Sequence, residues 1–171
     1  MPDALKISFL ALTGLENQSF SLLWRGSRDG FDAATFHRLC DGKANTVTVV
    51  KNTNGIIFGG FTSIPWKSSG DYKADSQAFL FSLTNPSNEP VKLNVHLEDC
   101  AVYHHSSYGP TFGIRHDLCV SSLSNKNRNS RMNLRVCEFP NGKSGKEGGT
   151  SIVGGSDNKF QTVEVEVYQV L

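Results

Sequence analysis

"TVTVVKNTNGIIFGGF", Thr46–Phe61, reads as two strands with a turn between them. Thr46–Val50 alternates and is rich in β-branched residues, which suit a pleated, half-buried surface. Asn54-Gly55 has the composition of a tight hairpin turn built on positive φ. Ile56–Phe61 then runs back. The returning strand carries Gly59-Gly60, and glycine inside a strand signals close approach by a backbone or a bulky neighbour. The expected neighbour is one of the 11 phenylalanines or Trp24. Pro65 is expected to end the strand, because it has no N–H for a ladder. Trp66 is expected to close the edge of the core.

Moving upstream, Ser19–Gly26 ("SFSLLWRG") places Phe20, Leu22 and Trp24 on one face at strand period. "SRDGF" turns the chain. A helix follows, with Asp32 as N-cap, Phe31 and Phe36 as a hydrophobic staple, and Gly42 as the stop. "ISFLALTGL" has the length of a signal-peptide core, but Asp3 precedes it, its basic flank is weak and no cleavage pattern follows. It reads as an amphipathic helix capped by Asp3 and stopped at Gly14.

Downstream, Lys67–Asp75 is a polar loop. Ala78–Leu83 suits a strand buried on both faces, and Asn85-Pro86 opens a turn. Val91–Glu98, Ala101–His104 and Leu118–Ser121 read as strands. Ser122–Arg131 is a polar, basic loop, Met132–Phe139 a strand, and Asn141–Asn158 a Gly/Ser-rich loop. In the last segment Val163, Val165 and Val167 alternate with Glu164 and Glu166, the pattern of a half-buried strand. Many short strands with close turns predict an α+β, mainly β chain: a two-sheet antiparallel β-sandwich flanked by a few helices.

The 171 residues favour one domain. A net charge of +1 supplies no field for nucleic acid or an anionic membrane, and no apolar run reaches the length of a bilayer span. Cys40, Cys100, Cys119 and Cys137 are far apart, which argues against structural zinc; they read as reduced, with one or two disulfides left open. Asn17-Gln18-Ser19 matches a glycosylation sequon.

The chemistry-bearing residues form no catalytic set. His104 and His105 are adjacent and point to opposite faces of a strand, and nothing in the spacing joins His104, His116 and Asp99 around a metal. "NGKSG" at 141–145 imitates a phosphate loop, but Cys137 stands where its first glycine belongs. No G-x-S-x-G is present. Cys40 lies at a helix C-terminus, where the dipole disfavours a thiolate, and Cys100 lies beside Asp99. Lys126, Arg128, Arg131 and Arg135 form a basic patch without interleaved aromatics. It reads as a solvated loop, with an acidic protein partner as the alternative. Trp66, Tyr72, Tyr103 and Tyr108 border polar loops, as lectin aromatics do, or serve as core lids.

"LLWRGSRDGFDAATFHRLCDGK", "FGGFTSIPW", "DSQAFLFSLTN", "YGPTFG" with "HDL", and "EVEVYQV" occur in the order found in TLDc domains. The chain resembles that family from about Phe9 to Leu171. The resemblance implies a β-sandwich with flanking helices and a role in oxidative-stress protection. It implies a protein partner, namely the peripheral subunits of a vacuolar-type proton pump, and carries no cofactor and no catalytic residue. The chain departs from typical members in two ways: no EF-hand, LysM or BTB segment precedes the domain, and "GIRH" at 113–116 replaces a loop with a further glycine. The expected function is a non-catalytic, cytoplasmic interaction domain. The alternative is a secreted glycan-binding module, which an upstream signal or disulfides would favour. The candidate binding loops contribute Trp66, Ser68, Ser69, Asp71, Tyr72, His104, His105, Tyr108, His116 and Asp117, with 141–158 beside them.

Overall fold

A computed structural model describes residues 3–94, 98–134 and 144–171. They form two six-stranded antiparallel sheets with four helices. The first sheet runs β1 (Phe20–Arg25), β12 (Thr162–Val170), β2 (Thr46–Asn52), β3 (Ile57–Thr62), β5 (Phe79–Ser82) and β6 (Val91–Asn94). The second runs β11 (Lys159–Phe160), β10 (Ser130–Met132), β9 (Leu118–Ser121), β8 (Tyr108–Phe112), β7 (Val102–His104) and β4 (Asp71–Lys73). Trp24, Val50, Phe58 and Leu80 from the first layer meet Phe112, Leu118, Met132 and Phe160 from the second in one core. Burying side chains of this size contributes about 1.5–3 kcal/mol each, and the mainly β expectation is the one found.

A second apolar cluster lies on the outer face of the first sheet. There α1 (Asp3–Thr13) presses Phe9 onto Phe81, ring centres 5.1 Å apart, among Val47, Val49 and Phe61. The helix ends as expected at Gly14, whose φ is +76° and whose N–H donates to the Leu10 carbonyl. Asp3 is the first helical residue rather than the cap. The helix read at Asp32 is α3 (Ala33–Cys40), with Asp32 Oδ1 accepting from the Thr35 N–H at 2.8 Å. The "SRDGF" turn begins as a short helix, α2 (Gly26–Asp29).

Several local expectations are corrected. A bulge between Leu22 and Trp24 breaks the period of β1. Trp24 therefore enters the inner core while Phe20 packs on the outer cluster, because one extra residue exchanges the faces. A second bulge between Thr162 and Glu164 leaves Val163 51% exposed. In the hairpin turn only Gly55 takes positive φ. Asn54 instead donates to the Val153 and Gly154 carbonyls. Strand β3 ends at Thr62, ahead of Pro65, where buried Asp75 accepts from Thr62 Oγ1 and from both Ser63 N and Ser63 Oγ.

The glycine pair is architecture. A Cβ on Gly59 would collide with the Thr48 carbonyl oxygen, and one on Gly60 would meet the Phe112 ring. The bulky neighbour is thus Phe112, not Trp24. The expected loop 67–75 contains β4, and the expected loop 122–131 ends inside β10. Strand β8 was not expected. Half of the expected 141–158 loop is α4 (Gly145–Val153), whose Gly149 lies against the Met132 carbonyl so closely that no side chain fits. The far parts of the expected strands, 95–97 and 135–139, lie outside the described residues, as does Cys137.

Candidate functional site

Strands β4 and β7 pair so that Tyr72 stands opposite Tyr103. Both project from the outer face of the second sheet, and their rings lie 4.6 Å apart. The same face continues through Thr111, Cys119, Arg131 and Lys159, each opposite the next. His105, two residues beyond Tyr103, returns to this face and stacks on Tyr103 with ring centres at 5.6 Å. Tyr108 lies 5.3 Å from His105.

The turn at 113–117 folds His116 over this row. Its ring stacks on Tyr103 at 4.9 Å and meets Tyr108 at 5.4 Å. Gly113, Arg115 and His116 all have positive φ. Left-handed backbone costs energy at the two residues that carry a Cβ, so the surrounding structure holds the turn in place. The Gly113 N–H donates to the Ala101 carbonyl at 2.8 Å, and the Arg115 N–H donates to the Tyr72 hydroxyl at 3.0 Å. Arg131 Nη2 donates to His116 Nδ1 at 2.7 Å, which leaves the proton of His116 on Nε2. Burial, then the Arg131 charge, pushes the His116 pKa below its ordinary value. Burial likewise raises the Tyr72 phenol.

His37 of α3 fixes the other border. It is buried, with Nδ1 2.8 Å from Asp41 Oδ1 and Nε2 3.0 Å from the carbonyls of His105 and Tyr108. The ring thus lies between the Asp41 carboxylate on one side and two backbone carbonyls on the other. One helical side chain thereby pins both ends of the 105–108 turn.

Of the residues marked in the sequence, Tyr72, His105, Tyr108 and His116 come together. Trp66 does not: it is 1% exposed, with Nε1 donating to Thr46 Oγ1 at 2.8 Å and its ring against Phe36 and Phe112. His104 is also 1% exposed and faces inward, 5.5 Å from Trp66, so the adjacent histidines do point to opposite faces. Asp117 is buried beneath the 113–117 turn. Ser68, Ser69 and Asp71 lie in an exposed rim: Ser68 Oγ donates to Asp41 Oδ2, Ser69 bonds Asp71, and Asp71 pairs with Lys73. Among the described residues no group of three His, Cys, Asp or Glu is placed to hold a metal ion.

From sequence, Tyr103 reads as a lectin-type aromatic or a core lid, and Arg131 as part of a solvated basic loop or of a contact for an acidic partner, while His37 is not singled out. The i, i+4 spacing of His37 and Asp41 on a helix was the available signal. The basic patch also changes membership. Arg128 pairs with Asp157 at 2.8 Å, Lys126 is exposed, and Arg135 is outside the described residues.

A sequence profile of the TLDc domain matches residues 3–171. The chain belongs to the TLDc domain family. Shorter stretches of this TLDc domain match the mTOR-associated protein MEAK7 of three animals. Identity is 46% over 44 residues in Danio rerio, 38% over 52 in Gallus gallus and 36% over 53 in Xenopus laevis. These matches cover 26%, 29% and 29% of the chain, and 10%, 11% and 12% of the respective relatives. The matched part thus spans about a tenth of the length of these curated relatives. Among the described residues, no helix is long and apolar enough to cross a membrane.

Proposed function

We propose that this TLDc domain is a non-catalytic protein-interaction module, and that it docks its partner on the outer face of the second sheet. The observation that carries this reading is the convergence of Tyr72, Tyr103, His105, Tyr108, His116 and Arg131 on one face. Tyrosine and arginine are the residue types that dominate binding energy at protein interfaces, and here their rotamers are held by mutual stacking before a partner arrives. The family resemblance supplies the partner class, the peripheral subunits of a vacuolar-type proton pump, and with it the link to oxidative-stress protection. On this reading the module works in the cytoplasm by binding and without turnover. Association with mTOR belongs to the MEAK7 relatives by name and is assayed alongside.

A glycan is the less favoured ligand. Sugar recognition uses an open aromatic face, whereas Tyr103 has His105 and His116 nearly parallel to it, at 18° and 29°. The test is affinity capture from native lysate with the wild type and with Tyr103→Ser. Recovery of pump subunits by the wild type and their loss in the variant is the expected result. Capture that is indifferent to Tyr103, or a glycan array bound by the wild type with no pump subunit recovered, overturns the reading.

A further inference from the structure

Next to the aromatic face lies a cavity of about 360 Å³ lined by Arg115, Arg131, Asn133, Lys146, Asn158 and Lys159. Four of these six side chains are cationic and none is acidic. Among the described residues none of the four cations is in an ion pair. Asp157, two residues before Lys159, is held by Arg128.

The register sharpens this excess. Arg131 of β10 stands directly opposite Lys159 of β11. Like charges in that position destabilise a sheet, and an anion bound between them reverses the sign. Arg131 is also pre-aimed: His116 takes one N–H of its guanidinium, and the remaining donors of the fork match an oxyanion in a bidentate manner. Asn158 Nδ2 donates to Asn133 Oδ1 at 2.8 Å, which leaves the Asn133 amide nitrogen as a neutral donor in the wall. Lys146 lies in the first turn of α4, where Ser144 gives the helix no side-chain cap.

Charge and shape together select the ligand. One phosphoryl group carries about −1.5 to −2, so four cations call for at least two phosphates on one compact frame. The volume is at the small end of ligand pockets, which begin near 300 Å³. Among the described residues every lining side chain is cationic or an amide, and the amides suit hydroxyl groups. We propose that this cavity binds a compact polyphosphorylated polyol, an inositol-type ring bearing two or more phosphate monoesters. This site shares Arg131 with the proposed docking face but does not rest on the docking reading.

The test is calorimetric titration of the whole chain with inositol trisphosphate, with inorganic phosphate and with a peptide containing one phosphoserine. In parallel, the chain is floated with phosphatidylcholine vesicles with and without phosphatidylinositol bisphosphate. We expect saturable binding of inositol trisphosphate, weakened at least about tenfold by Lys146→Gln with Lys159→Gln and by Arg131→Gln. Lys146 and Lys159 are exposed, so their double variant keeps its fold, read by near-ultraviolet circular dichroism. Flotation that depends on the bisphosphate identifies a lipid headgroup as the source; binding of the free trisphosphate without flotation identifies a soluble one. The proposal is overturned by no saturable binding, by undiminished binding in the double variant, or by equal affinity for inorganic phosphate or the phosphopeptide. Partner capture is read separately through Tyr103→Ser, so either reading can fail alone.

Discussion

The ring of Phe112 occupies the space that a side chain on Gly60 would need: a Cβ there would lie 2.9 Å from Phe112 Cζ. Phe112 is fully buried between the sheets and cannot give way at no cost. Gly60→Val therefore destabilises by about 1–3 kcal/mol, the usual range for overpacking. Gly59→Ala is worse, because its obstacle is the Thr48 carbonyl, which belongs to the neighbouring backbone. Urea midpoints measure both. A Gly60→Val variant with the wild-type midpoint and lost partner capture would move the pair from core to binding surface.

Asp75 ties the chain together where β3 ends. It is buried and accepts from Thr62 Oγ1, Ser63 N, Ser63 Oγ and Gln77 N at 2.7–3.0 Å. Asp75→Ala leaves several inward donors without an acceptor and costs about 3 kcal/mol or more. Its midpoint should fall further than that of Asp71→Ala, whose carboxylate is exposed.

His104 makes stability depend on pH. Burial pushes its pKa down from an ordinary 6.5 to about 4, and neither ring nitrogen has a hydrogen-bond partner among the described residues. In the window between these values the unfolded chain binds the proton and the fold does not. Its contribution is intact above pH 6.5 and is lost at about 1.4 kcal/mol per pH unit as pH falls towards 4. His104→Phe removes this linkage, with a cavity of about 280 Å³ beside the ring to take the larger side chain. Relative to wild type the variant should gain about 2 kcal/mol on going from pH 7 to pH 5. Parallel urea–pH profiles for the two proteins would refute the assignment.

His116 separates folding from docking. Its φ of +66° is strained for a residue with a Cβ, so in His116→Gly relief of up to about 1 kcal/mol offsets part of what the lost ring contacts cost. The same change removes the ring stacked on Tyr103 and the acceptor that aims Arg131. Partner capture should fall about tenfold or more in a protein that still unfolds cooperatively. Undiminished capture would exclude the ring from the interface.

Cys40 and Cys119 are not built as nucleophiles. Burial, aided by Asp41, pushes the Cys40 thiol up to about 12, and burial also raises Cys119. Both should resist iodoacetamide at pH 8 in the native protein and react once urea unfolds it. Rapid native labelling of either would revive a redox role.

The fold was legible where local and tertiary preferences agree. Asp32 announces α3, and the β-branched run before Gly55 announces β2 and its return. Illegible parts are those that tertiary contact decides. Strand β8 contains Gly109 and Pro110, which read as a break, yet its neighbours β7 and β9 supply its pairing. Helix α4 contains Gly148 and Gly149, poor helix formers; Gly149 is needed for close approach to Met132. The site was half legible for the same reason. Tyr72, His105, Tyr108 and His116 carry recognisable chemistry, but only the pairing of β4 with β7 and the strained turn bring them to one face. Arg131 looked like solvated charge until its register opposite Lys159 was known.

The last strand, β12, lies between β1 and β2. Phe20 is opposite Val170, so the two ends of the first sheet's connectivity meet across nearly the whole sequence. During synthesis β1 emerges early and has no ladder until residues 162–170 leave the ribosome. Until then β1 and the inner edge of β2 are unpaired strands, the state in which β proteins are drawn into wrong partners. Folding of this domain is therefore a late closure, slow because its decisive contact is so distant in sequence, and a ribosome stalled short of residue 162 holds an open sheet.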